Sequence, residues 1–290
     1  MNKIKTVSVT FIAVLMLVSC NKTSTAEYDY SLTPVVLVHG SGLDSRSWSN
    51  LVTHLIKNDY PKEYISAVDL VPNNGSNIIA AQTQIKPAVD KLLSTAHRLC
   101  VKRKVMSCNT SKVDIVAHSM GAVSSRWYAT RVRPDKVRKF ISIAGSNHGT
   151  NALCRLKGDG NKEMCPAFSM DSARNRVQVL LNSDSVLKYD QTPYGVGYDE
   201  DKIRKVPPDL QRKIYYFTLR IEPDEWITPP ESAVLQGAGG VDFSDINKKY
   251  FHESQEGNYL FLGKETHDNL ISNSHVMEFV STILKVNLVN

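Results

Sequence analysis

The stretch Lys112-Val113-Asp114-Ile115-Val116-Ala117-His118-Ser119-Met120-Gly121-Ala122-Val123 decides how this chain folds. An apolar, strand-like run ends at Ala117. Ser119 follows two residues later, Gly121 lies just beyond it, and a helix-like segment continues to about residue 130. Strand, sharp turn with Ser at the apex, then helix is the context of a nucleophile elbow. The turn leaves little room beside the Ser. Small residues at 117 and 121 let strand and helix pass closely while the Ser119 hydroxyl points outward. The first position of the pentapeptide is Ala117, so the G-x-S-x-G pattern is met in its Ala form. Met120 begins the helix, and its backbone N–H is free to point at a developing oxyanion, with the helix N-terminus behind it.

Working outward, Pro34-Val35-Val36-Leu37-Val38-His39-Gly40-Ser41-Gly42 reads as a buried β-branched strand breaking into a glycine-containing loop. That loop can set the N–H of Ser41 opposite the N–H of Met120. Two such donors aimed at one oxygen suit acyl transfer, each worth roughly 3–4 kcal/mol of barrier. His39 is expected to shape this loop through hydrogen bonds to backbone and to carry no proton in the chemistry. A third stretch, Ala144-Gly145-Ser146-Asn147-His148-Gly149-Thr150, follows the next apolar strand.

These three stretches together resemble the α/β-hydrolase superfamily and, within it, the bacterial triacylglycerol lipases, where a Gly-x-x-His-x-Gly run follows the strand after the elbow. The resemblance covers residues 34–150, resumes around 218–237 and again near the C-terminus, and does not extend to 151–209. It implies an α/β-hydrolase fold: a mostly parallel sheet with helices on both faces and a lid-like insertion at about 151–210. Apolar β-rich runs at 35–38, 64–68, 112–117, 137–144, 213–219 and 258–262, alternating with helical patterns at 47–57, 77–101, 120–131 and 275–285, agree with that layout. Pro87 inside the second helical pattern predicts a kink. The insertion carries Phe168, Tyr189, Tyr194 and Tyr198, aromatic material for an acyl pocket.

The fold orders its triad Ser, acid, His along the chain. The acid should follow the strand at 213–219. In the resembling lipases an Asp, an acidic residue, two apolar positions and a nearby Pro occupy that loop, which here selects Asp224; Glu222 is the next candidate, then Asp242 and Asp245. The His should follow the last strand, which selects His267 over His275, already on the terminal helix pattern, and over His252, which precedes the strand. The resemblance thus implies Ser119 as nucleophile, His267 as base, Asp224 as its orienting acid, and the N–H groups of Ser41 and Met120 as the oxyanion hole. It implies no cofactor. Some related lipases hold a structural calcium near the catalytic His, but Asp268 and Asn269 are too weak a signal, and no metal is assigned. The expected function is hydrolysis of carboxylic esters, first of all acylglycerols. A short-chain esterase, a thioesterase or a polyester depolymerase would use the same machinery, and a surface lipoprotein using the fold only for binding is the non-enzymatic reading.

The N-terminus reads as a targeting segment. Lys3 and Lys5 precede an apolar run at 7–18, which closes on Leu17-Val18-Ser19-Cys20. This resembles the bacterial lipobox, so residues 1–19 are expected to be a lipoprotein signal peptide, Cys20 the lipidated residue, 20–30 a polar tether and 31–290 the hydrolase domain. The expected location is the cell envelope, on the outer membrane in a Gram-negative host, with the membrane as partner through the lipid. Loss of Lys3 and Lys5 lowers the formal charge from +6 to +4. That surface lacks the clustered Lys/Arg stripe of a nucleic-acid binder, so no nucleic-acid partner is expected. The remaining cysteines, Cys100, Cys108, Cys154 and Cys165, are even in number in an exported chain. Of three possible pairings the local one, Cys100–Cys108 with Cys154–Cys165, is expected.

Overall fold

The computed structural model describes residues 28–154, 156–166, 176–182, 214–235, 246–255 and 257–286. The signal segment, Cys20, most of the tether, Asp242, Asp245 and the part of the insertion holding Phe168, Tyr189, Tyr194 and Tyr198 lie outside the described residues.

Seven strands form one sheet. In chain order they are β1 (Val35–Val38), β2 (Ile65–Val68), β3 (Val113–His118), β4 (Val137–Ile143), β5 (Tyr215–Arg220), β6 (Phe251–Gln255) and β7 (Asn258–Phe261), and in space β2-β1-β3-β4-β5-β7-β6. All neighbours are parallel except β6 with β7, an antiparallel pair that the sequence pattern did not announce. Side chains alternate between the two faces. Val36, Val38, Ile115 and Ala117 pack into one apolar layer, and Val35, Leu37, Val116 and Ile141 into the other. Because both faces are covered, β1 and β3 are buried at every position.

The main helices are α1 (Ser49–Lys57), α2 (Asn77–Ala80), α3 (Lys86–Lys102), α4 (Met120–Trp127), α5 (Asp159–Glu163), α6 (Arg176–Asn182) and α7 (Ser274–Lys285). Pro87 sits in the first turn of α3, and the chain reaches it through a wide π-type turn at Ala81–Ile85. A proline without an N–H and with its ring against the preceding turn is accommodated by such widening. The strand order reverses between β1 and β3. Loops at the carboxyl ends of these two strands therefore diverge and leave a crevice, the usual ligand position in open α/β sheets.

Two disulfides join Cys100 to Cys108 and Cys154 to Cys165, with sequence separations of 8 and 11. Each closes a short loop, an effect of about 2.5–3 kcal/mol in the chain-entropy model.

The sheet also clips the C-terminal helix. Lys139 on β4 has no exposed surface, and its Nζ donates to the carbonyls of Ile283 (2.6 Å), Leu284 (3.1 Å) and Val286 (2.6 Å). These are orphan acceptors at the end of α7. Burial of the ammonium lowers the Lys139 pKa to about 8, against the partial support of Asp114. The folded protein then binds fewer protons than the unfolded chain between pH 8 and the ordinary lysine range, so stability rises with pH in that window. Lys139→Met is expected to remove this rise. Urea unfolding at pH 7, 8, 9 and 10 checks it: the wild type should gain roughly 3 kcal/mol relative to the variant over that span.

Candidate active site

Ser119 occupies the turn between β3 and α4 with φ 53° and ψ −122°, backbone that only glycine adopts freely. The Ser119 N–H donates to the Ile143 carbonyl at 3.1 Å, fastening the elbow to β4. The turn tolerates no bulk around it. A Cβ on Gly121 would stand 2.6 Å from the Val38 carbonyl oxygen, and one on Gly40 would stand 2.8 Å from Cβ of Ser119. Gly121 is thus the residue that lets α4 lie against β1.

Ser41 follows β1. His39 shapes its loop: the Leu70 N–H donates to His39 Nε2 at 2.9 Å, which leaves Nδ1–H to donate to the Gly40 carbonyl at 2.8 Å. The ring bridges the ends of β1 and β2 as a hydrogen-bonded strut. Met120 is the first residue of α4, where helix N–H groups have no intrahelical acceptor. Ser41 and Met120 therefore follow the neighbouring strands β1 and β3 at the crevice between them.

Asp224 and His267 are brought together from loops after β5 and β7. His267 Nδ1 lies 3.0 Å from both carboxylate oxygens of Asp224, with both side chains buried. A carboxylate only accepts, so Nδ1 carries the proton. Asp224 Oδ1 also accepts from the N–H groups of Trp226 (2.9 Å) and Ile227 (2.8 Å), which orients the carboxylate without a second charge. Nε2 of His267 is buried and makes no hydrogen bond to the described residues. Glu222 instead pairs with Arg220. His275 is stacked on Tyr250 with ring centroids 3.6 Å apart, and His252 sits on the edge strand β6.

The link between the elbow and the His267 loop is His118. Its Nε2–H donates to the His267 carbonyl at 3.1 Å, and the two rings lie 4.7 Å apart. Burial, then the nearby His267, push its pKa well below the ordinary imidazole value, so it stays neutral beside the second ring. Donor atoms of His118, His267 and Asp268 approach within 4.8 Å of one another. Nδ1 of His267 is committed to Asp224 and Nε2 of His118 to the His267 carbonyl, while the other nitrogen of each ring has no partner among the described residues.

A sequence model of the palmitoyl protein thioesterase family matches residues 34–192, more than half of the chain. The chain belongs to the palmitoyl protein thioesterase family. The match takes in the Ser41 loop, the elbow and most of the insertion, and ends before β5. Over 124 residues the chain is 31% identical to a triacylglycerol lipase of Pseudomonas fragi, covering 43% of this chain and 38% of that one. It is 25% identical over 119 residues to an (E)-2-((N-methylformamido)methylene)succinate hydrolase of Acinetobacter baylyi, covering 41% and 40%. The chain thus spans about two fifths of the length of these curated relatives. A crystal structure of a Bacillus licheniformis lipase in mature form superposes with a TM-score of 0.55 at 16% identity, covering 90% of this chain and 95% of that one. The fold is the α/β-hydrolase fold.

In this family member several supports of the site escaped the sequence reading. Glu225 accepts the His267 backbone N–H at 2.9 Å. The loop after β4 holds the Asp224 loop: Thr150 Oγ1 donates to the Trp226 carbonyl (2.6 Å) and accepts from the Thr228 N–H (3.0 Å). Arg126 of α4, fully buried, donates to the carbonyls of Asn147 (2.6 Å) and Leu181 (3.0 Å), tying that loop and α6 to the elbow helix. Arg126 is the only charged residue of α4, and that was the available signal for it. No helix among the described residues is long and apolar enough to cross a membrane.

Proposed function

We propose that the protein is a serine hydrolase of acyl esters, lipase-like in its first substrates, the acylglycerols. The observation that carries the reading is the buried Asp224–His267 pair at 3.0 Å, whose loop is bonded to His118, the residue just before the serine of the strained elbow. In the proposed reaction Ser119 Oγ attacks the ester carbonyl as His267 Nε2 takes its proton. Asp224 holds the Nδ1–H tautomer and stabilises the imidazolium. The N–H groups of Ser41 and Met120 hold the oxyanion. The imidazolium then protonates the leaving alcohol, and water, deprotonated by His267, releases the acid from the acyl-enzyme. Nothing in this sequence of steps calls for a cofactor.

The family match favours a second reading on the same machinery, cleavage of long-chain acyl thioesters. A series of p-nitrophenyl esters from acetate to palmitate, with emulsified triolein and palmitoyl-CoA alongside, tests both. Turnover of long-chain esters and triolein is the expected result. Preference for palmitoyl-CoA over esters of equal chain length would select the thioesterase, and activity confined to acetate and butyrate would make it a short-chain esterase. Absence of turnover with every member, together with failure of a fluorophosphonate probe to label the protein, would leave the binding lipoprotein as the reading.

The Leu17-Val18-Ser19-Cys20 run supports the further proposal that the enzyme is lipid-anchored at Cys20 in the cell envelope. Two or more acyl chains suffice for stable membrane attachment. Metabolic labelling with a radioactive fatty acid should mark the wild type and leave Cys20→Ala unlabelled; equal label in both would refute the anchor.

A further inference from the structure

The insertion that follows β4 begins as a brace, and its contacts converge on the two residues read as oxyanion donors. Between Cys154 and Cys165, α5 packs beneath the Ser41 loop. Asn161 Oδ1 accepts from the Ser41 hydroxyl at 3.2 Å, and Asn161 Nδ2 donates to the Lys157 carbonyl at 2.8 Å. The Gly160 N–H donates to the Asn74 carbonyl at 3.1 Å. Gly160 also lies against Met120, since a Cβ there would stand 2.7 Å from Met120 Sδ. One five-residue helix therefore touches Ser41 by hydrogen bond and Met120 by close contact.

A helix this short has no stability of its own. Its place is set by the disulfide that brackets it and by Glu163. The Glu163 carboxylate accepts from Ser76 Oγ (2.7 Å), the Asn77 N–H (2.5 Å) and Asn77 Nδ2 (2.9 Å). Asn77, fully buried, accepts in turn from Ser124 Oγ of α4 at 2.6 Å. The polar chain Glu163–Asn77–Ser124 thus locks α5 to the elbow helix, while Asn161 locks it to the Ser41 loop. That loop needs an outside hold: it is flanked by Gly40 and by Gly42 at φ 78°, and Gly42 is exposed. A donor that can rotate away from the oxyanion loses the benefit of preorganisation.

We propose that Asn161 is a positioning residue for catalysis, fixing the Ser41 peptide opposite Met120 through its bond to the Ser41 hydroxyl, with Glu163 holding α5 in place for that task. The inference rests on the proposed reading of Ser41 and Met120 as oxyanion donors. It assigns the hydroxyl of Ser41 a role separate from that of its N–H.

Steady-state kinetics on p-nitrophenyl butyrate test it with Ser41→Ala, Ser41→Thr, Asn161→Ala and the Ser41→Ala/Asn161→Ala double variant. Ser41→Ala and Asn161→Ala should each lower kcat about tenfold, a fraction of the 10²–10³ lost when an oxyanion donor is removed outright. KM should stay within twofold, and the double variant should be scarcely worse than either single one. Ser41→Thr, which keeps the hydroxyl, should recover most of kcat. Ser41→Ala deletes one partly exposed oxygen and folds whatever happens to Asn161→Ala, so the Ala/Thr pair at 41 decides if the other variant is unstable. Wild-type kcat in Ser41→Ala, equal losses in the Ala and Thr variants, or an effect confined to KM would overturn the proposal. Ser119→Ala in the same assay separates the two levels. If it stays active, the reading of the site has failed; if it is dead while the Ser41 and Asn161 variants turn over normally, only the positioning role has.

Discussion

Ser119→Ala is expected to fold like the wild type and to lose ester hydrolysis by a factor of about 10⁴ or more. The side chain is almost fully buried, and its N–H, which the substitution leaves in place, holds the elbow to β4. Losing one oxygen therefore disturbs neither core layer. Ala also keeps the backbone at φ 53° under the same steric load as Ser, so thermal unfolding should shift by no more than a few degrees. Without Oγ the proposed acyl-enzyme cannot form. The residual rate comes only from binding and the oxyanion donors. Turnover of p-nitrophenyl butyrate and labelling by a fluorophosphonate probe are the measurements. More than a tenth of wild-type activity in the purified variant would sink the assignment of Ser119.

The second large effect separates two histidines eight residues apart. His267→Ala should reduce turnover about as severely as Ser119→Ala, because members of such a unit fail together. His275→Ala should stay within a few-fold of wild type. The reason is geometric. His267 gives Nδ1–H to Asp224 and keeps Nε2 unengaged, whereas His275 is stacked on Tyr250 at the start of α7, beside an Asn273 cap that does not need its ring. Asp224→Asn should cost roughly 10⁴, since an amide at that position no longer enforces the Nδ1–H tautomer. The double variant Ser119→Ala/His267→Ala should be hardly worse than either single change. An inactive His275→Ala beside a near-normal His267→Ala would reverse the assignment.

The strands from Val35 to Phe261 were legible because most carry continuous β-branched or aromatic runs buried on both faces, and observed ends fall within two residues of the pattern. β6 was not. Phe251-His252-Glu253-Ser254-Gln255 is polar beyond its first residue, and its partner β7 supplies the reason for its form, with Phe251 set opposite Phe261. The π-type turn before Pro87 follows from sterics at one residue and leaves no periodic trace. At the site, chain order placed an acid before a histidine, the resemblance to the lipase loop pattern selected Asp224, and a loop position after the last strand selected His267; the two are hydrogen-bonded. The bond from His118 to the His267 carbonyl, the bond from the His267 N–H to Glu225 and the α5 brace join residues 149, 42 and 120 positions apart, which no local pattern encodes.

The backbone at Ser119 has a consequence for how this protein can change over time. Holding a residue with a side chain at φ 53° and ψ −122° costs about 1–3 kcal/mol, met from the surplus of two large apolar layers. Glycine alone would sit there unstrained. Selection for heat resistance and selection for turnover therefore pull against each other at one codon. A lineage relieved of its substrate would gain stability by exchanging this serine for glycine, and the elbow would outlast the chemistry it was shaped for.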